Sequence, residues 1–484
     1  MSRIVFRADA GRAIGAGHAM RCLALAADFL SGGWAVGFAA DAETFATVPA
    51  LRAAAIEGLT LSGHADDEPA VLARHWSNGA DVLVVDHYGR DVGFERACRP
   101  WAKRIVSVDD LANRHHSVDV IVDGANPEAA YRSLVPHECE ILAGPDYAIL
   151  HPAYRRARAE ALARRGTGAV ERILVSFGQI DAPNATMQAL DALGAVGFGG
   201  RVDVVLGPAA PHLAEARATA SSRVHVHVGS DMPRMMTEAD LSIGAGGVTA
   251  WERCCLGLPS AVVTLADNQA RTIAVISEAN AGISAGPVSA DTRDRLVNIL
   301  QGLLSDARRR RAMAHAAAAL VDGEGGRRVL LAAIGSAANK SGNRVRLRLA
   351  GMRDESWLLG LQRKPETRRF SNNPSPPLAD DHHRWMTTTL SDPQRLLAIV
   401  EVDDDRAAML RLDSGDDSDR VHVAVDPDYH RKGIGGAALE LAARLRPGRK
   451  LDAEILPGNG ASLALFLSAG YRKVDDKTFR REPA

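Results

Sequence analysis

The alternation of short apolar runs with helical segments constrains the first two thirds of this chain more than any other feature. A helical pattern follows the first run at 17–30, with apolar residues at Met20, Leu23, Ala24 and Ala27. Uninterrupted apolar strands that alternate with helices indicate a parallel sheet covered on both faces. The runs are 3–9, 34–40, 81–88, 104–110, 118–124, 172–178, 201–207, 223–229, 239–247 and 259–265.

Two of these series follow one another, so we predict an α/β fold with two doubly wound Rossmann-like lobes, 1–160 and 161–335. A basic, alanine-rich segment around 150–168 separates them, and ligands of such sheets bind beyond the carboxyl ends of the strands. The small polar stretch at 336–344 is predicted to be a linker. After it the pattern changes to alternating strands with a helix at about 434–446, which predicts an α+β domain over 345–484.

The composition limits the partners of this chain. It is 46% hydrophobic and 24% charged, with a net charge of -1, which offers no electrostatic basis for binding nucleic acid or an anionic membrane. No apolar stretch is long enough to span a bilayer, and Asp9 interrupts any signal-peptide pattern, so we expect a cytoplasmic protein. The five cysteines lack metal-ligand spacing and are expected to be reduced apolar residues; the sequence leaves the oligomeric state open.

A glycine-rich loop follows the first predicted strand, in the stretch "RADAGRAIGAGHAMRC". The loop is not a dinucleotide fingerprint, because Met20 stands where the third glycine would be. His18 falls instead in the first turn of the helix, where the helix dipole disfavours protonation and leaves a neutral imidazole able to accept a proton. The alternative is a structural histidine at a helix N-terminus.

A second glycine-rich loop, "GAGGVTAWE", follows the run at 239–247 and opens a helix. The backbone N–H groups of Gly244, Gly246 and Gly247 are predicted to bind a diphosphate there, and Glu252 to bind ribose hydroxyls. "ADNQ" follows the next strand, and its Asn268 and Gln269 suit sugar hydroxyls and amides, although a tight turn with an N-cap explains such residues equally well.

These stretches, together with "VVDHY" and "SFGQID", resemble the UDP-sugar hydrolases of pseudaminic acid biosynthesis, which are similar to two-lobed GT-B glycosyltransferases. The resemblance covers about residues 1–335 and implies hydrolysis of UDP-2,4-diacetamido-2,4,6-trideoxy-β-L-altropyranose to UDP and the free sugar. It implies that His18 activates water, that the nucleotide binds at Gly246, Gly247 and Glu252, and that the sugar contacts Asn268 and Gln269. Asp86, His87 and Tyr88 end a predicted strand that faces the same cleft, so we expect them to contact the substrate, with local turn packing as the alternative. Gly17 is expected to leave space for the sugar. Gln179 in "SFGQID" departs from the double glycine of the family.

The stretches "VAVDPDYHRKGIGGAALELAARL" and "NGASLALFLSAGY" resemble the acetyl-CoA site of the GNAT N-acetyltransferases. Successive N–H groups of a loop that opens a helix suit a pyrophosphate. His430 replaces the usual Gln or Arg of the loop, and Phe466 replaces a tyrosine that protonates the leaving thiolate in many members. The residues predicted to bind acetyl-CoA are Val425, His430, Arg431, Lys432, Gly433, Ile434, Gly435, Gly436 and Asn459.

The two resemblances together imply a bifunctional enzyme, in which a UDP-4-amino sugar is acetylated and the product is then hydrolysed. "ADDHHRWM" at 379–386 resembles the acceptor-side helix of amino-sugar acetyltransferases. Its adjacent histidines, His382 and His383, point about 100° apart on a helix, so no shared metal is expected. One alternative is a GT-B glycosyltransferase with an appended acyltransferase domain; another is a binding module whose C-terminal domain has lost catalysis.

Overall fold

A computed structural model describes residues 2–11, 14–53, 55–165 and 168–483. The chain divides into two compact units. One comprises Val5–Ala27 and Gly37–Gly326, and the other comprises Met1–Ile4, Asp28–Val36 and Arg327–Ala484.

Three sheets organise the chain. The strands are β1 (Arg3–Ala8), β2 (Ala35–Ala40), β3 (Ile56–Thr60), β4 (Ala80–Asp86), β5 (Ala102–Val108), β6 (Val120–Asp123), β7 (Glu140–Ala143), β8 (Arg172–Ser176), β9 (Arg201–Leu206), β10 (Val224–Val228), β11 (Leu241–Ala245), β12 (Ser260–Thr264), β13 (Ile283–Pro287), β14 (Ala337–Ala338), β15 (Arg344–Leu349), β16 (Arg395–Val402), β17 (Asp405–Ser414), β18 (Ser418–Val425), β19 (Lys450–Glu454), β20 (Arg472–Lys473) and β21 (Thr478–Arg481).

Helices cover these sheets and connect their strands. They are α1 (Gly17–Ser31), α2 (Ala42–Thr47), α3 (Ala50–Ala53), α4 (Glu68–His75), α5 (Val92–Cys98), α6 (Pro152–Arg164), α7 (Ala185–Ala195), α8 (Leu213–Ala218), α9 (Met232–Glu238), α10 (Val248–Cys255), α11 (Ala270–Glu278), α12 (Thr292–Ser305), α13 (Ala307–Leu320), α14 (Gly325–Ala333), α15 (Glu355–Arg363), α16 (Pro365–Arg368), α17 (Ala379–Ser391), α18 (Ile434–Leu445) and α19 (Gly460–Ser468).

The first two sheets share one strand order, and this order determines where a ligand can bind. The first runs β3-β2-β1-β4-β5-β6-β7 and the second β10-β9-β8-β11-β12-β13. Every pair in the second sheet is parallel. In both sheets the chain first adds strands on one side of the first strand and then on the other. The switch points lie between β1 and β4 and between β8 and β11. Ligands of such sheets bind in the crevice that opens at a switch point.

Burial explains why the apolar runs became strands of these sheets. Ile4, Val5, Phe6 and Ala8 of β1 are at most 1% exposed, as is expected of a central parallel strand covered on both faces. The ten strands predicted from apolar runs are all present, with ends that differ by up to two residues. The predicted α/β architecture with two Rossmann-like lobes is confirmed.

The C-terminal sheet runs β14-β15-β16-β17-β18-β19-β21-β20. Its described pairs are antiparallel except β18 with β19, which are parallel only from Ser418 opposite Lys450 to Arg420 opposite Asp452. Beyond Arg420, the pairing of β18 with β19 ends, whereas β18 continues to pair with β17 as far as Val425. The strands β18 and β19 therefore separate. This opening leaves backbone groups of β18 available to an extended ligand.

The segment predicted to be a flexible linker contains structure. Ala337 and Ala338 form β14 and pair with Val345 and Arg344 of β15. The side chain of Asn339 closes the turn by accepting hydrogen bonds from the backbone N–H groups of Ser341 and Asn343. An Asx-type turn of this kind holds the two strands in register, so this part of the predicted linker at 336–344 is ordered.

Candidate active site

His18 lies at the switch point of the first sheet, in the first turn of α1 directly after β1. Asp86 ends β4, the neighbouring strand, and its Oδ1 lies 2.5 Å from Nδ1 of His18. The carboxylate requires the proton of the neutral ring to be on Nδ1, so Nε2 carries the free lone pair. His18 is 7% exposed, and the Tyr88 ring packs edge-on against it with the centroids 4.6 Å apart. A neutral imidazole held in this way can accept a proton at Nε2.

Arg21 completes this cluster from the next turn of α1. Its Nε lies 2.5 Å from Oδ2 of Asp86, and its Nη1 donates to Oδ2 of Asp110 at 3.0 Å. Burial opposes ionisation of Asp86, but the charges of Arg21 and His18 and their hydrogen bonds hold the pKa of Asp86 well below its usual range. Asp86 is therefore an anion that stabilises a protonated His18.

Asp86 was predicted to contact the sugar, and the structure places it elsewhere. It is 0% exposed, and its two oxygens are occupied by His18 and Arg21, with the Cys22 thiol 3.6 Å from Oδ2. The strand end buries this carboxylate behind His18, so we assign Asp86 to positioning of the imidazole.

Tyr88 links the two lobes at this point. Its hydroxyl donates to Oδ1 of Asp110 at 2.7 Å and accepts from Nδ2 of Asn268 at 2.9 Å. Burial and the neighbouring Asp110 carboxylate raise the pKa of Tyr88, so its hydroxyl keeps its proton. The structure thus brings together His18, Tyr88 and Asn268, three of the residues predicted from sequence.

His87 is held by its own lobe. Its Nδ1 accepts from the backbone N–H of Gly89 at 2.9 Å, and its Nε2 lies 3.0 Å from Oδ2 of Asp9. Both ring nitrogens are occupied, which favours local turn packing over the predicted contact with substrate. Gly17 is exposed, and a Cβ there meets no atom within 4 Å, so its surroundings are open; its role as a sugar contact stays a prediction.

The glycines of the second glycine-rich loop have different contacts. Gly247 is the N-cap of α10. The N–H of Gly246 donates to Oε1 of Gln269 at 3.2 Å, and the same oxygen accepts from the N–H of Leu265 at 3.1 Å. Gln269 was predicted to bind sugar, but its carbonyl holds two loops together, and only its Nε2 remains for a ligand.

Gly244 is a packing residue rather than a phosphate ligand. It lies in β11, where a Cβ would stand 2.4 Å from the backbone oxygen of Ser176 and 2.6 Å from Nη1 of Arg253. The prediction that its N–H binds the diphosphate does not fit this position within the sheet. The first free N–H groups of α10 follow Gly247.

Glu252 is enclosed within the second lobe, where the Tyr154 hydroxyl donates a hydrogen bond to it. Its Oε2 is buried and has no hydrogen-bond partner among the described residues. Burial raises the pKa of Glu252 to about 7, against the smaller opposing effect of the Tyr154 hydrogen bond. Because this oxygen is buried, it could reach a ribose hydroxyl only after neighbouring side chains move, and the contact predicted from the sequence stays a prediction.

We expect Glu252→Gln to change how stability depends on pH. Because the pKa of Glu252 is raised in the folded state, its contribution is fully present at pH values below about 4.5 and is lost as pH rises through about 7. Relative to the variant, the wild type should lose up to about 3 kcal/mol of unfolding free energy between pH 5 and 8, at about 1.4 kcal/mol per pKa unit. Urea denaturation at both pH values measures this difference. Equal pH profiles would contradict a buried, proton-binding Glu252.

In the C-terminal unit, the loop predicted to bind acetyl-CoA lies between β18 and α18. Arg431 and Gly433 have φ values of +63° and +84°, and Gly433 is the N-cap of α18. Gly435 allows close packing, because a Cβ there would stand 2.8 Å from Leu465 of α19, whereas a Cβ at Gly436 meets no atom within 4 Å. His430 lies with its Nε2 3.2 Å from the carbonyl oxygen of Val425, and Lys432 packs its ammonium over Tyr429.

Two further residues of this unit, Asn459 and Phe466, were singled out from the sequence. The side chain of Asn459 accepts from the backbone N–H of Ser462 at 3.1 Å, so it is the N-cap of α19. Capping by Asn is a sufficient structural reason for this residue, and since the cap uses only Oδ1, acetyl-CoA binding through Nδ2 stays a prediction. Phe466, at the position of the expected tyrosine, is 5% exposed and packs edge-on against Tyr471 at 4.9 Å.

Several residues of the first site were missed from sequence. Arg21 stands three residues after His18 and therefore on the same helical face, and Asp110 follows β5 at the carboxyl edge of the sheet. Both signals are present in the sequence, but neither identifies the partner. No helix within the described ranges could cross a membrane, and no group of three or more metal-ligating side chains occurs there.

The fold and these sites define a chain with two Rossmann-like lobes followed by an acetyltransferase domain. Residues 361–471 match the model of the Acetyltransferase (GNAT) family. Among solved structures, MurG of Acinetobacter baumannii aligns with 68% of this chain and 98% of its own, at 15% identity and a TM-score of 0.49.

Two curated relatives match part of this chain. The chain is 26% identical over 212 residues to the spore coat polysaccharide biosynthesis protein SpsG of Bacillus subtilis, covering 43% of this chain and 62% of that protein. It is 25% identical over 198 residues to the UDP-2,4-diacetamido-2,4,6-trideoxy-beta-L-altropyranose hydrolase of Campylobacter jejuni, covering 40% of this chain and 65% of the hydrolase. The chain thus spans slightly less than two thirds of each relative. These matches show a GNAT domain over residues 361–471 and a partial similarity of the chain to these two relatives.

Proposed function

We propose that the two lobes hydrolyse UDP-2,4-diacetamido-2,4,6-trideoxy-β-L-altropyranose to UDP and the free diacetamido sugar. The observation that carries this proposal is the pairing of His18 with the buried Asp86 at the switch point, next to Asn268 of the second lobe. The similarity to the Campylobacter jejuni hydrolase supports the choice of substrate.

The chemistry requires one oriented base and a site for the leaving diphosphate. Nε2 of His18 takes a proton from water, the water oxygen attacks the anomeric carbon, and the bond from that carbon to the diphosphate oxygen breaks. UDP leaves with the bonding electrons, and backbone N–H groups at the start of α10 stabilise its charge. Asp86 stabilises the imidazolium until the proton passes to solvent.

We further propose that the GNAT domain transfers the acetyl group of acetyl-CoA to the 4-amino group of the UDP-sugar precursor. The match over residues 361–471 and the opening between β18 and β19 support acetyl-CoA as co-substrate. Acetylation would produce the diacetamido sugar that the lobes then hydrolyse, so two consecutive steps are joined in one chain.

The test supplies the UDP-4-amino sugar with and without acetyl-CoA and follows the products by NMR. Release of UDP only after N-acetylation supports both activities. Release that requires a second sugar or a lipid acceptor supports the alternative of a GT-B glycosyltransferase with an acyltransferase domain. Acetylation without UDP release contradicts the hydrolase proposal alone.

Tyr88→Phe should lower kcat/KM for UDP release roughly 10–100-fold. The variant loses the hydrogen bonds to Asp110 and Asn268, and a hydrogen bond to a charged group contributes about 1.5–3 kcal/mol. Steady-state kinetics of UDP release measure the effect. Tyr429→Phe, in the other unit, is the control with unchanged hydrolysis, and wild-type rates for Tyr88→Phe would show that this link between the lobes is dispensable.

A further inference from the structure

A second histidine–aspartate pair lies in the C-terminal sheet, at the point where β18 and β19 separate. His422 stands in β18 two residues beyond Arg420, the last residue that pairs with β19. It is in direct register with Arg411 of β17. The side chain therefore lies on one face of the sheet, immediately next to the opening.

The face that carries His422 is the one that α15 and α17 cover. Residues at alternate positions share a face, so Ala424 and its register partner Met409 lie on the same side as His422. Met409 packs in one cluster with Leu358 of α15 and Met386 of α17. His422 is thus placed between the opening and α17, the helix that resembles the acceptor side of amino-sugar acetyltransferases.

The geometry of the pair orients the ring. Nε2 of His422 is buried, makes no hydrogen bond among the described residues and lies 3.2 Å from Oδ2 of Asp413, and the same oxygen accepts from Nη2 of Arg411 at 2.9 Å. Burial opposes ionisation of Asp413, but the neighbouring His422 and Arg411 lower its pKa. An ionised carboxylate holds the proton of the neutral ring on Nε2, which leaves Nδ1 as the acceptor. The side chain is 36% exposed, so a ligand can reach the ring.

Other side chains of this region are less suited to proton transfer. Phe466 has no proton to give, and the hydroxyl of Tyr471 beside it is buried, with the side chain 1% exposed. His382 is 3% exposed, and burial lowers its pKa. Nε2 of His430 lies against the carbonyl oxygen of Val425.

We propose that His422 is the general base of the acetyl transfer and that Asp413 positions it. The inference rests on the proposed acetyltransferase function. Nδ1 of His422 takes a proton from the attacking amine, the amine nitrogen bonds to the thioester carbonyl carbon, and the carbon–sulfur bond breaks. The thiolate leaves with the bonding electrons, and the His422 imidazolium returns the proton to it. His422 thereby serves first as the base and then as the acid. The thiolate receives its proton from His422, so the reaction does not require a tyrosine at position 466.

The test compares the wild type with His422→Ala, His422→Gln and Asp413→Asn in the full chain. Thiol release from acetyl-CoA is measured with the UDP-4-amino sugar and also with water as the only nucleophile. We expect His422→Ala and His422→Gln to lose about 10²–10⁴-fold in kcat in both reactions, with KM for acetyl-CoA unchanged. Added imidazole should restore part of the His422→Ala rate, which a purely structural role would not allow. His315→Ala, an exposed histidine of α13, is the matched control.

The outcomes separate this inference from the proposed substrate. If the wild type does not acetylate the amino sugar, the acceptor proposal fails, and the water reaction still tests His422. Glutamine keeps a donor toward Asp413, so a folded His422→Gln with wild-type rates overturns the inference even if His422→Ala is unstable. A wild type that releases no thiol in either reaction overturns it as well.

Discussion

His18→Ala is expected to abolish UDP release while leaving UDP binding intact. The imidazole is the only group that the proposed reaction uses to take a proton from water, and general-base assistance contributes about 10²–10⁴-fold. UDP is predicted to bind at α10 and Glu252 of the second lobe, away from His18 in the first. Steady-state kinetics and calorimetric titration with UDP measure the two properties separately.

The matched control for this variant is His75→Ala in the same lobe. His75 ends α4, is partly exposed and pairs with Glu57 at 3.1 Å, so its loss should change neither property. Normal hydrolysis by His18→Ala would make His18 structural and would remove the basis of the hydrolase proposal. Loss of UDP binding would instead indicate that the lobe had not folded.

Asp86→Asn is expected to lower kcat for UDP release by about 10²–10⁴-fold without removing His18. The carboxylate keeps the proton on Nδ1 of His18, whereas the amide of asparagine can donate to Nδ1 and favour the tautomer with the proton on Nε2. That tautomer cannot accept a proton from water. The loss should therefore appear in kcat, with UDP binding unchanged.

The same substitution should also cost stability. Arg21 loses the charge of its closest partner and keeps only Asp110, and breaking a buried ion pair from one side costs about 3–5 kcal/mol. Asp81→Asn is the control, because Asp81 lies in β4 too but pairs with the exposed Lys103, and such surface pairs contribute about 0–1 kcal/mol. Urea denaturation of both variants measures the free energy of unfolding that each loses. Equal losses would contradict a stabilising buried ion pair at Asp86.

Prediction from sequence succeeded where local pattern decides structure. The apolar runs identified ten of the thirteen strands described for the two lobes, and the spacing of Gly17 and His18 placed the imidazole at the first turn of α1. It failed where a side chain has a partner far along the chain. Asp86 was expected to meet substrate, yet its oxygens are taken by His18 and Arg21, residues 68 and 65 positions away.

The glycine loop shows the same limit. "GAGGVTAWE" correctly indicates a strand, a turn and a helix, but Gly244, Gly246 and Gly247 are equivalent in the sequence. The structure places Gly244 against the backbone of Ser176 and gives the N–H of Gly246 to Gln269, 23 residues on. Neither assignment follows from spacing, because both depend on which strands become neighbours.

The sequence by itself determined most strands of the two lobes, the alternation of strands with helices, the acetyltransferase domain, and the residue types available for proton transfer. Periodicity and glycine placement are local properties, so they can be recognised without knowledge of the fold. Only the tertiary structure decided that Asp86 orients His18, that Tyr88 joins Asn268, and that Asp413 faces His422. Each of these pairs is formed across neighbouring strands or lobes, where strand order and register select the partner.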